Sequence, residues 1–282
     1  MHLTDRLIEF AARPLPLRTL VLRNLLRRFP VGSYEARLRV GGVYRPNYAW
    51  CMYYAAVEAK ALGHKAVTII ELGVAGGNGL MCLCRHRKDI QKALGIEIVV
   101  VGFDSGAGLP QSTDPRDMLY AWPAGAYRMD RSALESRIGG QAQLVLGDVA
   151  QTVHAWNPEP AAPLGAVMFD LDYFTSTLAS FALLAKQNLL PRVWCYFDDV
   201  CAGPEEALTE RIGEREAIRQ FNDDPERKVL KDHLSPAFTF KHFTPEPWHQ
   251  RIYLYHRLNH PDYNVCLTVE RQREDHLRLG NS

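Results

Sequence analysis

Short, continuously apolar segments alternate with amphipathic segments along most of the 282-residue chain. The apolar segments cover residues 66–72, 98–103, 144–146, 166–169 and 193–197, and helix patterns occur at about 48–63, 79–93, 130–138, 175–187 and 204–221. A strand that is apolar on both faces belongs to a parallel sheet covered by helices on both sides. The sequence therefore predicts an α/β fold with a Rossmann-like sheet.

The pattern changes after residue 235. Two further strand-like segments, 238–243 and 251–257, flank a stretch that contains two prolines, which indicates an antiparallel hairpin at the edge of the sheet. We therefore expect a mixed sheet of seven strands, of which the first five are parallel. The main domain is predicted to span residues 46–269, and the polar residues 270–282 are predicted to form a loose C-terminal tail.

Residues 1–45 differ in composition from the rest of the chain. They contain nine arginines, no lysine and three acidic residues, with helix patterns on both sides of Pro14. We predict a basic helical extension that caps the main domain or contacts a second subunit, which would make a homo-oligomer. A membrane-surface helix or a lid over an anionic substrate is the alternative.

The overall composition narrows the class of protein. The formal net charge is +1, so the whole chain gives no reason to expect nucleic acid as a partner. The six cysteines form no CxxC pair, which favours a reduced, cytoplasmic compartment over a zinc site. No run of about 18 apolar residues is present, so no transmembrane segment is predicted.

The first predicted strand leads into a glycine-rich turn, E-L-G-V-A-G-G-N-G, at residues 71–79. Such a turn lets a ligand approach the backbone at a helix N-terminus. Its spacing differs from the G-x-G-x-x-G of nicotinamide-binding proteins, and the Glu71 carboxylate would repel a pyrophosphate. The cationic methionine end of S-adenosylmethionine (SAM) carries no phosphate. We therefore predict a SAM site that includes Glu71, Gly73, Gly76 and Gly77.

Acidic residues also follow the second and third predicted strands. Asp104 and Ser105 follow the second strand, and Asp148 follows the third. In Rossmann-like folds a carboxylate after strand two accepts hydrogen bonds from ribose hydroxyls, and one after strand three could meet the adenine amino group. Each residue taken singly is as typical of a helix cap or a turn. Because they occur in order at successive strand ends, we predict that all three bind the cofactor.

Four more carboxylates follow the fourth and fifth strands, namely Asp170, Asp172, Asp198 and Asp199. Carboxylates that converge at neighbouring strand ends repel one another, and Mg²⁺, which prefers oxygen ligands, relieves that repulsion. A bound cation lowers the pKa of an acceptor hydroxyl and orients it for in-line attack on the SAM methyl group. Asp172 is the candidate catalytic proton acceptor, and Asp170 is counted with the cofactor residues. Helix capping is the alternative interpretation.

Four motifs within roughly residues 66–200 resemble the macrocin O-methyltransferase (TylF-like) group of class I SAM-dependent methyltransferases. They are I-E-L-G-V-A-G-G at 70–77, F-D-S-G-A-G-L-P at 103–110, D-L-D-Y-F-T-S-T at 170–177 and F-D-D at 197–199. The second motif is the most specific. The resemblance implies a class I methyltransferase fold, Mg²⁺-dependent methylation of a sugar hydroxyl, Asp104 as the ribose ligand, and Asp172, Asp198 and Asp199 as metal ligands.

The chain departs from the pattern of this group at a few positions. Leu171 replaces a usual glycine, and Gly106 and Ala107 replace a usual phenylalanine and glutamate. Catechol-type relatives carry a lysine where this chain has Thr175, so a lysine base at that position is excluded. These changes bear on the identity of the methyl acceptor more than on the identity of the cofactor. The long, aromatic-rich segment 111–129 is interpreted as an acceptor lid.

Together these features predict a SAM- and Mg²⁺-dependent O-methyltransferase that acts on a hydroxyl of a sugar or another polyhydroxylated small molecule. Two alternatives remain. A nicotinamide-dependent oxidoreductase would use a similar sheet, but the glycine spacing and Glu71 count against it. A catalytically silent SAM-binding protein would keep the fold without the reaction.

Overall fold

The computed structural model describes residues 17–201, 209–230, 232–238 and 246–265. Its central element is a seven-stranded sheet in the order β3-β2-β1-β4-β5-β7-β6. The strands are β1 Ala66–Leu72, β2 Glu97–Asp104, β3 Gln143–Leu146, β4 Leu164–Phe169, β5 Leu189–Phe197, β6 Asp232–Pro236 and β7 Ile252–Arg257. Strands β1 to β5 are parallel, and β7 runs antiparallel to both β5 and β6. The predicted mixed sheet is confirmed.

Helices cover both faces of the sheet. In the described residues they are α1 Leu17–Arg28, α2 Tyr34–Arg39, α3 Pro46–Ala61, α4 Asn78–Leu94, α5 Arg131–Ile138, α6 Val149–Ala155, α7 Phe174–Ser180, α8 Gly213–Asp223 and α9 Pro225–Leu230. One buried apolar cluster packs α3 and α4 against the sheet, and a second packs α6, α7 and α8. The sheet is therefore the middle layer of three, as its continuously apolar strands predict.

Strand β1 determines where a ligand can bind. All seven of its residues are buried, and it pairs with β2 on one side and β4 on the other. The strand order therefore reverses beside β1. Open α/β sheets bind ligands at the carboxyl ends of their strands, at the point where the order reverses. The glycine-rich turn and the predicted acidic residues all follow strands at this edge.

The last strand pair differs from the sequence prediction. β6 is Asp232–Pro236, and Phe238 lies outside it; residues 239–243 of the expected strand fall outside the described residues. Asn222 of α8 fixes β6 by donating a 2.8 Å hydrogen bond to the Leu234 carbonyl and accepting another of 2.8 Å from its N–H. Polar side-chain contacts hold this strand in place, and its sequence has only a weak apolar pattern. The sequence pattern alone therefore does not predict it.

The bounds of two predicted helices are also corrected. The pattern at 175–187 is α-helical only to Ser180, after which a 3₁₀ turn, Phe181–Ala185, leads toward β5. The pattern at 204–221 is helical from Gly213 to Asp223, and residues 204–208 of it fall outside the described residues. Helix α6, only seven residues long, was not predicted, because so short a segment shows little periodicity.

The described part of the basic extension contains α1 and α2. Arginines hold α1 in place: Arg23 Nε donates to the Val40 carbonyl at 2.7 Å, and Arg27 Nε donates to the Val43 carbonyl at 3.1 Å. Arg23 also forms an ion pair with Glu246 of the main domain. The first predicted helix and the tail at 270–282 lie outside the described residues. Among the helices that are described, none is long and apolar enough to cross a membrane. The domain boundaries and the role of the extension stay predictions.

Candidate cofactor and active site

A cavity of about 730 Å³ lies at the carboxyl ends of β1, β2, β4 and β5. It is lined by every predicted site residue except Gly77, namely Glu71, Gly73, Gly76, Asp104, Ser105, Asp148, Asp170, Asp172, Asp198 and Asp199. Gly77 lies directly before α4, where its left-handed backbone (φ 80°) starts the helix. The fold thus brings together residues that are up to 128 positions apart in the chain, from Glu71 to Asp199.

The glycine-rich turn leaves no room for side chains at two of its positions. A Cβ atom on Gly73 (φ 84°) would lie 1.7 Å from the carbonyl oxygen of Asp170, and one on Gly79 would lie 1.6 Å from Oε1 of Glu71. Gly76 is different, because a Cβ atom there meets no described atom within 4 Å. Packing therefore requires two of these glycines, whereas Gly76 borders open cavity.

We expect alanine to have opposite consequences at Gly73 and Gly76. Gly73→Ala forces a clash between backbone atoms and a left-handed alanine, so we expect a loss of more than about 4 kcal/mol in unfolding free energy. Gly76→Ala should change that energy by less than about 0.5 kcal/mol. It should nevertheless weaken binding of S-adenosylhomocysteine (SAH), the demethylated cofactor, by about tenfold. Urea unfolding and calorimetric titration measure both effects, and unchanged SAH affinity in Gly76→Ala would place the cofactor elsewhere.

Glu71 is an acidic side chain buried at the end of β1, with 1% of its surface exposed. Tyr48 of α3 donates a 2.9 Å hydrogen bond to its Oε1, while Oε2 has no hydrogen-bond partner among the described residues. Burial raises the pKa of Glu71 to about 8, although the hydrogen bond from Tyr48 and the charge of Arg45 both lower it. A cationic ligand beside Glu71 would therefore stabilise a carboxylate that burial disfavours.

Asp104 joins the two loops that border the cavity. Its Oδ2 accepts a 2.8 Å hydrogen bond from the N–H of Ala75 in the glycine turn, and its Oδ1 accepts one of 2.6 Å from the N–H of Gly106. Ser105 donates to the Gly108 carbonyl at 2.8 Å and shapes the same loop. Each Asp104 oxygen keeps a lone pair, so the carboxylate can still accept hydrogen bonds from ligand hydroxyls.

The sequence allowed Asp148 to be either a helix cap or a cofactor ligand, and its position in the structure is compatible with both roles. Its Oδ1 caps α6 by accepting a 2.9 Å hydrogen bond from the N–H of Ala150, and the residue also borders the cavity. Its second oxygen has no role in this cap. A capping role therefore leaves room for contact with a ligand.

Five carboxylates converge beyond β4 and β5, because Glu214 of α8 joins the four predicted from the sequence. Glu214 Oε2 accepts a 2.8 Å hydrogen bond from the N–H of Asp199. Burial, followed by the charges of Asp198 and Asp199, raises the pKa of Asp170 well above its ordinary value. Burial and the charge of Asp199 do the same for Glu214. This end of the cavity therefore holds more negative charge than its surroundings stabilise.

The backbone at Asp172 is in the left-handed region, with φ 59°, and the residue is 8% exposed. Aspartate tolerates this conformation better than most residues, but it remains strained. Within the described residues, no group of three or more His, Cys, Asp or Glu side chains is placed to hold a metal ion together. The assignment of Asp172, Asp198 and Asp199 as metal ligands stays a prediction.

Asp198 has a cationic partner that the sequence did not reveal. Arg251, directly before β7, donates a 2.9 Å hydrogen bond to Asp198 Oδ1 and one of 2.8 Å to the Cys201 carbonyl. Tyr196 donates to the same carboxylate oxygen. Asp198 is thus partly neutralised by the protein itself.

The segment interpreted as a lid borders the cavity through Gln111, Trp122, Gly125, Tyr127 and Arg128. Its anchor is Asp117, which is completely buried. Asp117 Oδ1 accepts a 2.8 Å hydrogen bond from the N–H of Thr175, and Oδ2 accepts one of 2.8 Å from the Thr175 hydroxyl. The residue that replaces the catechol-type lysine therefore fastens this segment to α7.

Replacing Asp117 by alanine should leave the N–H and hydroxyl groups of the half-buried Thr175 without these acceptors. We expect the free energy of unfolding to fall by about 2–4 kcal/mol, because two hydrogen bonds to a fully buried carboxylate are lost. Asp114→Ala, in the same segment, removes a partly exposed pair with Arg116 (N–O 2.6 Å) and should cost less than about 1 kcal/mol. Urea unfolding of both variants measures the difference, and equal small losses would contradict the anchoring role.

Comparison with solved structures identifies the fold. The calicheamicin methyltransferase CalS11 matches over 91% of both chains, with 21% identity and a TM-score of 0.51. The chain has the class I methyltransferase fold. At this level of identity the likeness does not extend to activity.

Two further solved structures match less closely. The O-methyltransferase TomG from Streptomyces achromogenes, in complex with SAM, has 14% identity and a TM-score of 0.40, covering 82% of this chain and 87% of its own. The O-methyltransferase from Bacillus cereus, in complex with SAH, has 15% identity and a TM-score of 0.40, covering 89% and 95%. With TM-scores of 0.40, these two structures do not enter the argument about this chain. No protein-family model and no curated protein matches the sequence.

Proposed function

We propose that this chain is a SAM-dependent O-methyltransferase with a small, polyhydroxylated acceptor. The observation that carries the proposal is the position of Glu71, a buried carboxylate beside a glycine turn whose Gly76 borders open cavity. A pyrophosphate in that turn would disfavour the ionised form of Glu71 still further, whereas the ammonium group of SAM would stabilise the ionised carboxylate and pair with it. The same argument counts against a nicotinamide cofactor.

The cavity offers a polar group for each part of the cofactor. Glu71 would bind the ammonium group, Asp104 would accept hydrogen bonds from the ribose hydroxyls, and Asp148 would accept one from the adenine amino group. Gly73 and Gly76 would allow close approach of the backbone. When bound, SAM would supply a methyl group on a sulfonium, whose sulfur keeps the electron pair of the broken carbon–sulfur bond as the acceptor oxygen bonds to carbon.

The chain's own residues would then orient the acceptor and take its proton. Asp172, which follows β4 and borders the cavity, would accept the hydroxyl proton as the oxygen attacks. Its left-handed backbone (φ 59°) is a strained conformation of the kind that occurs at active sites. Trp122 and Tyr127, with ring centroids 6.1 Å apart, would cover one face of the acceptor and exclude water.

We further propose that Mg²⁺ assists this reaction. In support, the donor set is purely carboxylate, and mutual repulsion raises the pKa of Asp170 and Glu214 in addition to burial. Asp172 and Asp199 would hold the ion, with Asp198 joining if it leaves Arg251. A bound Mg²⁺ would lower the pKa of the acceptor hydroxyl. Membership of the macrocin O-methyltransferase group is part of the same proposal, on the motifs at 70–77, 103–110 and 170–177.

The test is transfer of a labelled methyl group from SAM to a panel of nucleotide sugars, free sugars and catechols, with Mg²⁺ or with EDTA. We expect labelled product with at least one sugar-type acceptor, and its loss in EDTA. Transfer that persists in EDTA would remove the metal from the proposal. SAM binding without transfer to any acceptor would favour the catalytically silent alternative.

A further inference from the structure

Arg45 places a cationic side chain in the cavity wall. It is half-buried, and its guanidinium lies 5.2 Å from the centre of the Tyr48 ring. No hydrogen bond or ion pair joins that guanidinium to another described residue. Arginines of similar burial elsewhere are paired, for example Arg192 with Glu58 at 2.9 Å and Arg251 with Asp198 at 2.9 Å. Arg45 therefore has donors to offer to an anion in the cavity.

The backbone holds Arg45 in this position at some cost. Its φ is 41°, a left-handed conformation in a residue that is neither glycine nor asparagine, directly before α3. Such strained conformations persist where the surrounding packing holds them in place, and they are frequent at binding and active sites. Here Pro46 begins the helix, and the strained residue turns the chain into the cavity wall. The conformation is consistent with a binding role.

Arg45 and Glu71 form two ends of one small charged unit. The ring of Tyr48 lies against Arg45, and the hydroxyl of the same tyrosine donates to Glu71 Oε1. The positive charge of Arg45 is one of the influences that lower the pKa of Glu71 against burial. A cation and an anion thus border the cavity beside the glycine turn, a pattern that complements a zwitterion.

We propose that Arg45 binds the α-carboxylate of the methionine portion of SAM, while Glu71 binds its α-ammonium group. This inference rests on the proposed function. An anionic acceptor is a poorer fit, because the Tyr48 ring against which Arg45 lies places the guanidinium near Glu71 at the glycine turn. The acceptor would bind at the carboxylate cluster beyond β4 and β5. The guanidinium can meet a carboxylate with two parallel hydrogen bonds.

The experiment compares two ligands that differ only in this carboxylate. They are SAH and its decarboxylated analogue, S-adenosyl-3-thiopropylamine, titrated calorimetrically into the wild type, Arg45→Gln and Arg45→Lys. The matched control is Arg85→Gln, since Arg85 also stacks on a tyrosine, Tyr44, at 5.5 Å but does not border the cavity.

We expect Arg45→Gln to weaken SAH binding by about 10- to 100-fold and to change binding of the analogue by less than about threefold. Arg45→Lys should fall between, because it keeps the charge and loses the paired geometry. The wild type itself should prefer SAH over the analogue by about 10- to 100-fold, which tests the proposal even if a variant folds poorly. Arg85→Gln should match the wild type with both ligands.

Four results would overturn the assignment. An equal loss of affinity for both ligands in Arg45→Gln would mean that Arg45 only supports the structure of the cavity wall. Wild-type affinity in Arg45→Gln, or equal wild-type affinity for both ligands, would mean that the carboxylate binds elsewhere while the proposed cofactor stands. Absence of binding of either ligand to the wild type would instead reject the proposed function, and with it this inference.

Discussion

Replacing Glu71 by glutamine is expected to stabilise the ligand-free protein near pH 8 and to weaken its binding of SAH. The folded-state pKa of Glu71 is about 8, against an ordinary value of 4.5, because the carboxyl group is buried. A carboxyl group whose pKa is raised on folding favours the unfolded state increasingly as the pH rises from about 4.5 to about 8. A shift of this size corresponds to an upper limit of about 5 kcal/mol at pH 8.

Glutamine removes this pH-dependent cost, because it cannot ionise, and its carbonyl can still accept the hydrogen bond from Tyr48. We expect a gain of about 2 kcal/mol in unfolding free energy at pH 8, since the buried amide N–H groups offset part of the gain. Near pH 5 the two proteins should be similar. Affinity for SAH should fall by about tenfold or more, because the ammonium group loses its counter-charge.

Urea unfolding at pH 5 and pH 8 and calorimetric titration with SAH measure these effects. Glu97→Gln, an exposed change at the start of β2, is the matched control and should alter neither quantity. A Glu71→Gln variant that is less stable than the wild type at pH 8 would contradict the raised pKa. A more stable variant with unchanged SAH affinity would separate Glu71 from cofactor binding.

The second large effect is expected at Asp172. Asp172→Asn should lower kcat by about 100- to 10,000-fold, the usual contribution of a positioned proton acceptor. Asparagine tolerates the left-handed backbone at this position, so the fold should persist. SAH affinity should change by less than about threefold, because the cofactor contacts lie at the glycine turn and after β2 and β3.

Turnover and SAH titration of Asp172→Asn, once an acceptor is found, test this prediction. Asp223→Asn provides the control, since Asp223 is an exposed carboxylate on α8 paired with Arg219 at 2.6 Å and lies outside the cavity wall. Retained turnover in Asp172→Asn would assign the proton to another group. Equal loss of kcat and of SAH affinity would make Asp172 a cofactor residue rather than a proton acceptor.

Most of the sheet could be predicted because its central strands are buried on both faces. The expected strand at 66–72 coincides with β1, and the segments expected at 98–103 and 144–146 each extend by one or two residues to give β2 and β3. Strands buried on both faces need apolar residues throughout, and that pattern is local. β6 could not be placed, since its position depends on Asn222, which lies ten or more residues earlier in the chain.

The predicted site residues lie together because they follow strands directly, and the topology of the sheet brings those strand ends to one edge. The residues that the sequence did not reveal reach the site from other parts of the fold. Arg251 comes from the 3₁₀ turn before β7, Glu214 from α8 and Arg45 from the turn before α3. Asp117 was noted only as part of a loop, and its buried contacts with Thr175 depend on tertiary packing. No local motif distinguishes such residues from surface charges.

The most direct test of the central claim, that the cavity holds SAM, is calorimetric titration of the wild-type protein with SAH and, separately, with NAD. We predict saturable binding of one SAH per chain, weakened by both Gly76→Ala and Glu71→Gln, and no binding of NAD. Saturable binding of NAD without binding of SAH would contradict the claim and would mean that the glycine turn accepts a pyrophosphate despite Glu71.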